Sequence, residues 1–135
     1  MNVLGMVVVL GAMALLAGCA TVKPADLVQK QVEQFKAMLL VQNVDGLMGL
    51  FSDKFEHYEW GNKAGAQDFM KNAKDMGYMD GLEVDITKAT KTAEGDKFKV
   101  YPVEVSGSFG STTLELIFAK DGDAWKIVGL DASNL

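Results

Sequence analysis

The chain has 135 residues of which 49% are hydrophobic, enough for one globular domain with its own core. All 13 basic residues are lysines, arginine is absent, and 18 acidic residues leave a formal net charge of −5. That balance argues against a nucleic acid partner, and any anion site has to use lysine or backbone amides in place of a bidentate guanidinium. One histidine and one cysteine cannot build a zinc site or an intramolecular disulfide, so no metal or other cofactor is expected.

Residues 1–22, MNVLGMVVVLGAMALLAGCATV, carry no charged side chain and have the character of a targeting segment. The run ends in Leu16-Ala17-Gly18-Cys19, which resembles the lipobox of bacterial lipoprotein signal peptides. The resemblance implies diacylglyceryl transfer to the Cys19 thiol, cleavage just before it, and acylation of the new amine. Residues 1–18 are then the signal peptide, 19–24 a lipidated tether and 25–135 the folded domain. Several acyl chains on one residue anchor durably, since each buried methylene contributes about 0.8 kcal/mol and a lone myristoyl chain is marginal. The expected location is the bacterial cell envelope; Ala20 after the cysteine fits the outer membrane, facing the periplasm, where the organism has two membranes. The sequence departs from the pattern in having no lysine or arginine before the apolar run. An uncleaved membrane helix, because about 20 apolar residues span a bilayer, and a buried or free Cys19 thiol are the alternatives. The small residues Ala12, Ala14, Ala17, Gly18 and Ala20 crowding the end of the run favour processing.

In the mature chain, Pro24 suits a first helical turn, and Val28, Val32, Phe35 and Leu39 recur at steps of one helix face. Asn43 to Gly46 interrupts that pattern, and Asp45 is the expected cap of a short second helix bearing Leu47, Leu50 and Phe51. Phe55 to Trp60 is aromatic, shows no helical stripe and predicts a strand that ends at Gly61-Asn62. A third helix is expected over 63–76, stopped by Gly77. Antiparallel hairpins follow. Leu82, Val84 and Ile86 alternate with polar residues; Glu94-Gly95-Asp96 turns into a strand over 97–105, Leu114, Leu116 and Phe118 alternate next, and Asp121-Gly122-Asp123 turns into the last strand. The apolar phase slips at Tyr101-Pro102, as a β-bulge there would require. Ser106 to Ser111 is expected as a flexible loop at the rim, without the following helix that a phosphate site needs.

Helices packed on a curved, mainly antiparallel sheet make an α+β architecture. The long first helix, Leu50-Phe51-Ser52-Asp53-Lys54-Phe55, the aromatic strand, the helix after Gly61 and the closing Asp121-Gly122-Asp123-Ala124-Trp125-Lys126-Ile127-Val128 resemble the nuclear transport factor 2-like superfamily. That is the cystatin-like cone shared with ketosteroid isomerase and polyketide cyclases, with three N-terminal helices on a strongly curved sheet. The resemblance implies a cone over 25–130 and leaves the function open. Members that use an Asp-Arg-Asp arrangement or two histidines are excluded by composition.

Glu56-His57-Tyr58-Glu59-Trp60 contains the sole histidine. On a strand, His57 and Glu59 share one face, and Tyr58 and Trp60 the other. If the first face lines the cone, an imidazole beside a carboxylate is an acid–base candidate; if the second does, the wall is aromatic and suits a hydrophobic ligand. The catalytic candidates are His57, Glu59, Tyr101 and Glu104, with Glu115, Asp45 and Tyr58 of suitable type but selected by no motif. The candidate ligand wall is Phe35, Tyr58, Trp60, Phe69, Tyr101 and Phe118. Met38, Met48, Met70, Met76 and Met79 serve as core filler or, with Phe35, Phe69, Tyr78 and Trp60, as an adaptable apolar pocket or dimer surface. The favoured function is a membrane-tethered cone that binds a small apolar ligand or an envelope protein without catalysis. An acid–base isomerase, dehydratase or cyclase and a module dimerising through the sheet face are the alternatives.

Overall fold

The computed structural model describes residues 22–133; the leader with its lipobox, Cys19 and residues 134–135 lie outside the described residues. Helix α1, Pro24–Leu40, begins with proline in its first turn, where the missing N–H has no intrahelical partner to lose. It buries Val28, Val32, Phe35 and Leu39. Helix α2, Val44–Met48, is capped by Asn43, whose side-chain oxygen accepts the Gly46 N–H at 2.9 Å. Asp45, the cap expected from sequence, instead lies inside the first turn, where its charge meets the positive end of the helix.

The expected strand over Phe55 to Trp60 is a tight hairpin. Strands β1, Glu56–His57, and β2, Gly61–Asn62, pair antiparallel around a turn at Tyr58 to Trp60. An extended strand is lost here because the His57 side chain captures the backbone amides of Glu59 and Trp60, and a local side-chain acceptor outcompetes a ladder partner. Helix α3, Lys63–Asp75, follows at once, with Asn62 as its cap. A methyl group at Gly65 would overlap the Trp60 carbonyl oxygen, so the absence of a side chain there lets the hairpin fold back onto the helix. Gly77, at φ 81°, terminates the turn after α3.

Five strands form the main sheet: β3 (Glu83–Asp85), β4 (Thr90–Glu94), β5 (Lys97–Gly107), β6 (Gly110–Asp121) and β7 (Ala124–Ser133). The stretch after α3 is broken into β3 and β4, which pair with successive halves of β5. The break accompanies the bend of β5, whose register against β6 shifts between Val100 and Val103, at Tyr101-Pro102. Between them the Thr87 amide bonds Asp85 at 2.8 Å and the Ala89 amide bonds the Ile86 carbonyl at 3.2 Å. The Ser106–Ser111 segment is a continuous hairpin with its turn at Ser108-Phe109, not an open loop.

Alternation sends Val103, Val105, Leu114, Leu116, Phe118, Ile127 and Leu130 inward against α1 and α2. Glu104 and Glu115 project from the other face. The Glu94 carboxylate, bonded at 3.1 Å, raises the Lys99 pKa above its ordinary value, with further help from Glu115 and Asp131. A parallel bridge from Phe51 to Ile127 stitches the segment after α2 to the edge strand, through Ser52 N–H to Ile127 O and Ile127 N–H to Leu50 O, both 2.9 Å. All the core side chains among the described residues lie between Leu27 and Ala132, so a chain beginning at Val22 carries this core entire.

Candidate functional site

A cavity of about 470 Å³ opens between α3, the second half of α1 and the inner face of the sheet. Its size falls within the range of about 300–1,000 Å³ common for small-molecule pockets. Phe35 and Leu39 reach it from α1, Met70 from α3, Met79 from the turn beyond, and Leu114 and Leu130 from the sheet. These positions are apolar because each lies on the inward stripe of its element, and the curvature of the sheet keeps the opposing stripes apart. The rim is apolar as well and partly open to water: Phe69 is 42% exposed, Met76 69%, Tyr78 47% and Phe109 39%.

Polar chemistry is nearly absent from the wall. Among the described residues, Asn72, Tyr78 and Thr112 contribute its polar side chains, and no carboxylate, imidazole, thiol or amine lines it. Thr112 is buried and donates its hydroxyl proton to the Ser133 carbonyl, so its hydrogen bonding is satisfied within the fold. Such a surface gains free energy by excluding water from hydrocarbon, and among the described residues the phenol of Tyr78 is its one side chain of acid–base type. Among the described residues no cluster of three or more acidic, histidine or cysteine side chains is placed to hold a metal ion.

Trp60 closes one side of the cavity from the β1–β2 hairpin. Its indole lies between the His57 imidazole, 4.1 Å away between centroids at 17°, and the Phe69 ring, 4.5 Å away at 29°. His57 also holds the turn. Its Nδ1 accepts N–H from Glu59 at 3.1 Å and from Trp60 at 3.2 Å, which assigns that nitrogen as the unprotonated one and leaves the proton on Nε2. Phe55 continues the aromatic contacts toward the core, 6.5 Å from Trp60 and 4.9 Å from Phe51.

The arrangement of helices on a curved sheet recurs in solved structures. An NTF2-like protein of unknown function from Pseudomonas putida superposes with a TM-score of 0.66, at 12% identity over 81% of this chain and 84% of that one. A protein of unknown function with a cystatin-like fold from Nostoc punctiforme superposes with a TM-score of 0.62, at 14% identity over 78% and 86%. The chain has the nuclear transport factor 2-like fold. A third superposition, on Bd1075 of Bdellovibrio bacteriovorus, has a TM-score of 0.66 at 14% identity; it covers 80% of this chain but only 40% of that one. Identities this low carry the fold and nothing of the chemistry. No family model and no curated protein matches the sequence.

Within this nuclear transport factor 2-like cone, Phe35, Trp60 and Phe69 of the expected ligand wall meet at the cavity. Tyr58 is 80% exposed at the tip of the hairpin, and Tyr101 is 49% exposed beside the bulge. Phe118 is fully buried in the core and does not line the cavity. The acid–base candidates do not converge. Glu59 is exposed in the turn, Glu104 and Glu115 project from the outer face of the sheet, and Asp45 is exposed on α2. His57 and Glu59 do not share a strand face, because Glu59 lies in the turn that the imidazole holds. The methionine cluster divides: Met70, Met76 and Met79 line the cavity, Met48 is core, and Met38 packs against the core. Leu39, Leu82, Val105, Leu114 and Leu130 also line the cavity although the sequence offers none of them as ligand wall, since an apolar stripe is identical for a filled core and a hollow one.

Proposed function

We propose that this protein is a non-catalytic binder of a small, uncharged, hydrocarbon-bodied ligand, held at a bacterial membrane surface through acylated Cys19. The observation that carries the binding half is the cavity of about 470 Å³ whose wall, among the described residues, is mainly apolar and holds no carboxylate, imidazole, thiol or amine. A ligand with a charge inside this wall would lose its hydration without gaining a partner, at a cost of several kcal/mol or more. Phe35, Trp60 and Phe69 supply flat, stiff contact area, while Met70, Met76 and Met79 adapt to shape. The similar proteins from Pseudomonas putida and Nostoc punctiforme are of unknown function, so they support the cone and suggest no ligand.

The anchor half rests on Leu16-Ala17-Gly18-Cys19. Residues 19–24 would place the domain within about 20 Å of the bilayer, at about 3.4 Å per extended residue. Among the described residues no helix is long and apolar enough to cross a membrane.

Both halves are tested directly. The chain from Val22 titrated with N-phenyl-1-naphthylamine, a neutral apolar fluorophore, should bind one equivalent saturably and release it to a long-chain alcohol; unsaturable partitioning alone would refute the binding site. Metabolic labelling with an alkynyl fatty acid should mark the full-length chain and not its Cys19→Ala form. A Cys19→Ala protein that is still labelled and still sediments with membranes would refute the anchor.

A further inference from the structure

The cavity wall is asymmetric in how it is held. Most of its residues sit on α1, α3 and the five-stranded sheet, where backbone ladders fix them. Trp60 arrives from a hairpin paired only at Glu56 with Asn62 and at His57 with Gly61. Within that turn, the amides of Glu59 and Trp60 both point at one acceptor, the Nδ1 lone pair of His57. The same imidazole is stacked on the indole it positions. One nitrogen thus accepts both amides of the turn that carries the Trp60 wall, beside the Asn62 N–H that donates to the Trp60 carbonyl at 3.1 Å.

We propose that His57 is a proton-operated latch on the cavity: with Nδ1 unprotonated the turn is closed and Trp60 packs on the ligand, and a proton on Nδ1 opens the turn and weakens binding. This rests on the ligand-binding reading of the cavity and adds a control to it. A protonated Nδ1 is a donor, so it faces the Glu59 and Trp60 amides donor to donor and leaves both without an acceptor. The cation gains some attraction to the indole face, but that attraction acts through the ring stack and does not supply the acceptor that the amides have lost. Because the ligand contacts Trp60 in the closed arrangement, ligand and proton oppose each other.

The charged and titratable groups on the elements around the imidazole are Asp53, Lys54, Glu56, Tyr58 and Glu59 from its own segment. Helix α3 carries Lys63, whose ammonium bonds Asp53 at 3.3 Å, Asp68, Lys71, Lys74, which donates to the Gln42 carbonyl, and Asp75; strand β7 carries Lys126, which donates to the Gly49 carbonyl, and Asp131. Among the described residues none of these hydrogen-bonds the imidazole, which accepts only from the two amides. That isolation makes the ring, and no neighbouring ion pair, the element that responds.

The test uses the chain from Val22, with N-phenyl-1-naphthylamine titrated at about pH 7.5 and about pH 5.5, which bracket the range where imidazoles take up a proton. Wild type should lose about tenfold or more in affinity on acidification, the scale of a modest two-state shift. His57→Asn keeps a side-chain oxygen to accept the amides and cannot be protonated, so it should bind at neutral pH and change by less than about twofold. A wild type indifferent to pH, or an Asn form that falls in parallel with it, overturns the latch. Amide hydrogen exchange on wild type alone gives a second decision, without relying on the variant or on the probe. The Glu59 and Trp60 amides should lose protection as the His57 ring protonates, and retained protection overturns the proposal. Absence of saturable probe binding at neutral pH would instead sink the ligand-binding reading, leaving the exchange measurement to decide the latch.

Discussion

The Trp60 N–H donates to Nδ1 of His57 at 3.2 Å, and the rings of these same residues lie 4.1 Å apart, 17° from parallel. The side chain that fixes the backbone of the turn is thus also the surface on which its indole rests. His57→Ala removes both contacts and should cost about 1–2 kcal/mol, from amides left to water and a lost ring stack. Urea unfolding measures it, and an unchanged midpoint would refute the structural role. The emission of Trp60 should shift to the red as its ring becomes wetter.

Gly65 gives a test with an unusual sign. Replacing a helical glycine by alanine ordinarily stabilises by about 0.5–1 kcal/mol. Here the added methyl would overlap the Trp60 carbonyl oxygen, and the obstacle is backbone. Gly65→Ala should therefore destabilise by about 1 kcal/mol or more and lower probe affinity; a gain in thermal stability would show that the hairpin does not rest on the helix this closely.

Ser52 is fully buried, donates its hydroxyl to Asp121 at 2.9 Å and accepts the Lys54 amide at 3.0 Å. Ser52→Ala strands a carboxylate oxygen and an amide where the chain crosses to the edge strand, at a cost of about 1–3 kcal/mol. Chemical denaturation of the chain from Val22 checks the figure; Ser52→Thr, which keeps the hydroxyl in a tight site, separates lost bonding from lost packing.

Leu114 and Val103 separate hollow from filled. Leu114 lines the cavity, whereas Val103 is fully buried and does not. Leu114→Phe has space to grow into and should cost less than about 1.5 kcal/mol while reducing probe binding; Val103→Phe overpacks the core and should cost about 1–3 kcal/mol. Equal destabilisation by both would mean that the cavity collapses in solution.

Asp85 accepts both the hydroxyl, at 2.6 Å, and the N–H, at 2.8 Å, of Thr87, and these bonds hold its carboxyl below the ordinary pKa. A folded-state pKa below the unfolded one contributes stability that is fully present above the unfolded value and is lost as pH falls through the lowered folded value. Asp85→Asn should therefore lower stability in the neutral region and flatten the acid limb, converging with wild type below about pH 4, where the wild-type carboxyl is itself protonated. An unaltered acid limb in the Asn form would show that this turn is equally populated in the unfolded chain.

Element types and their order were legible because they depend on local periodicity. The stripe Val28, Val32, Phe35, Leu39 identified α1, and the alternation through Leu114, Leu116 and Phe118 identified β6. The phase slip at Tyr101-Pro102 located the irregularity in β5. The hairpin at His57 was not legible, since an imidazole accepting amides one turn ahead leaves no periodic trace. Its aromatic composition is also what a strand would show.

The sequence by itself determined which side chains are apolar and on which stripe of each element they lie, and so determined an α+β cone with an apolar interior. Only the tertiary structure decided where that interior is solid and where it is hollow. Phe118 and Leu114 stand on the same face of β6, yet one is packed in the core and the other lines the cavity. The difference arises from the curvature of the sheet and the angle at which α3 meets it. Both depend on contacts between residues distant in the chain, such as the Gln31 side chain donating to the Trp125 carbonyl and the Ser52 N–H donating to the Ile127 carbonyl. Hydrophobicity makes a residue leave water; whether it then meets another side chain or an empty space depends on what stands opposite it.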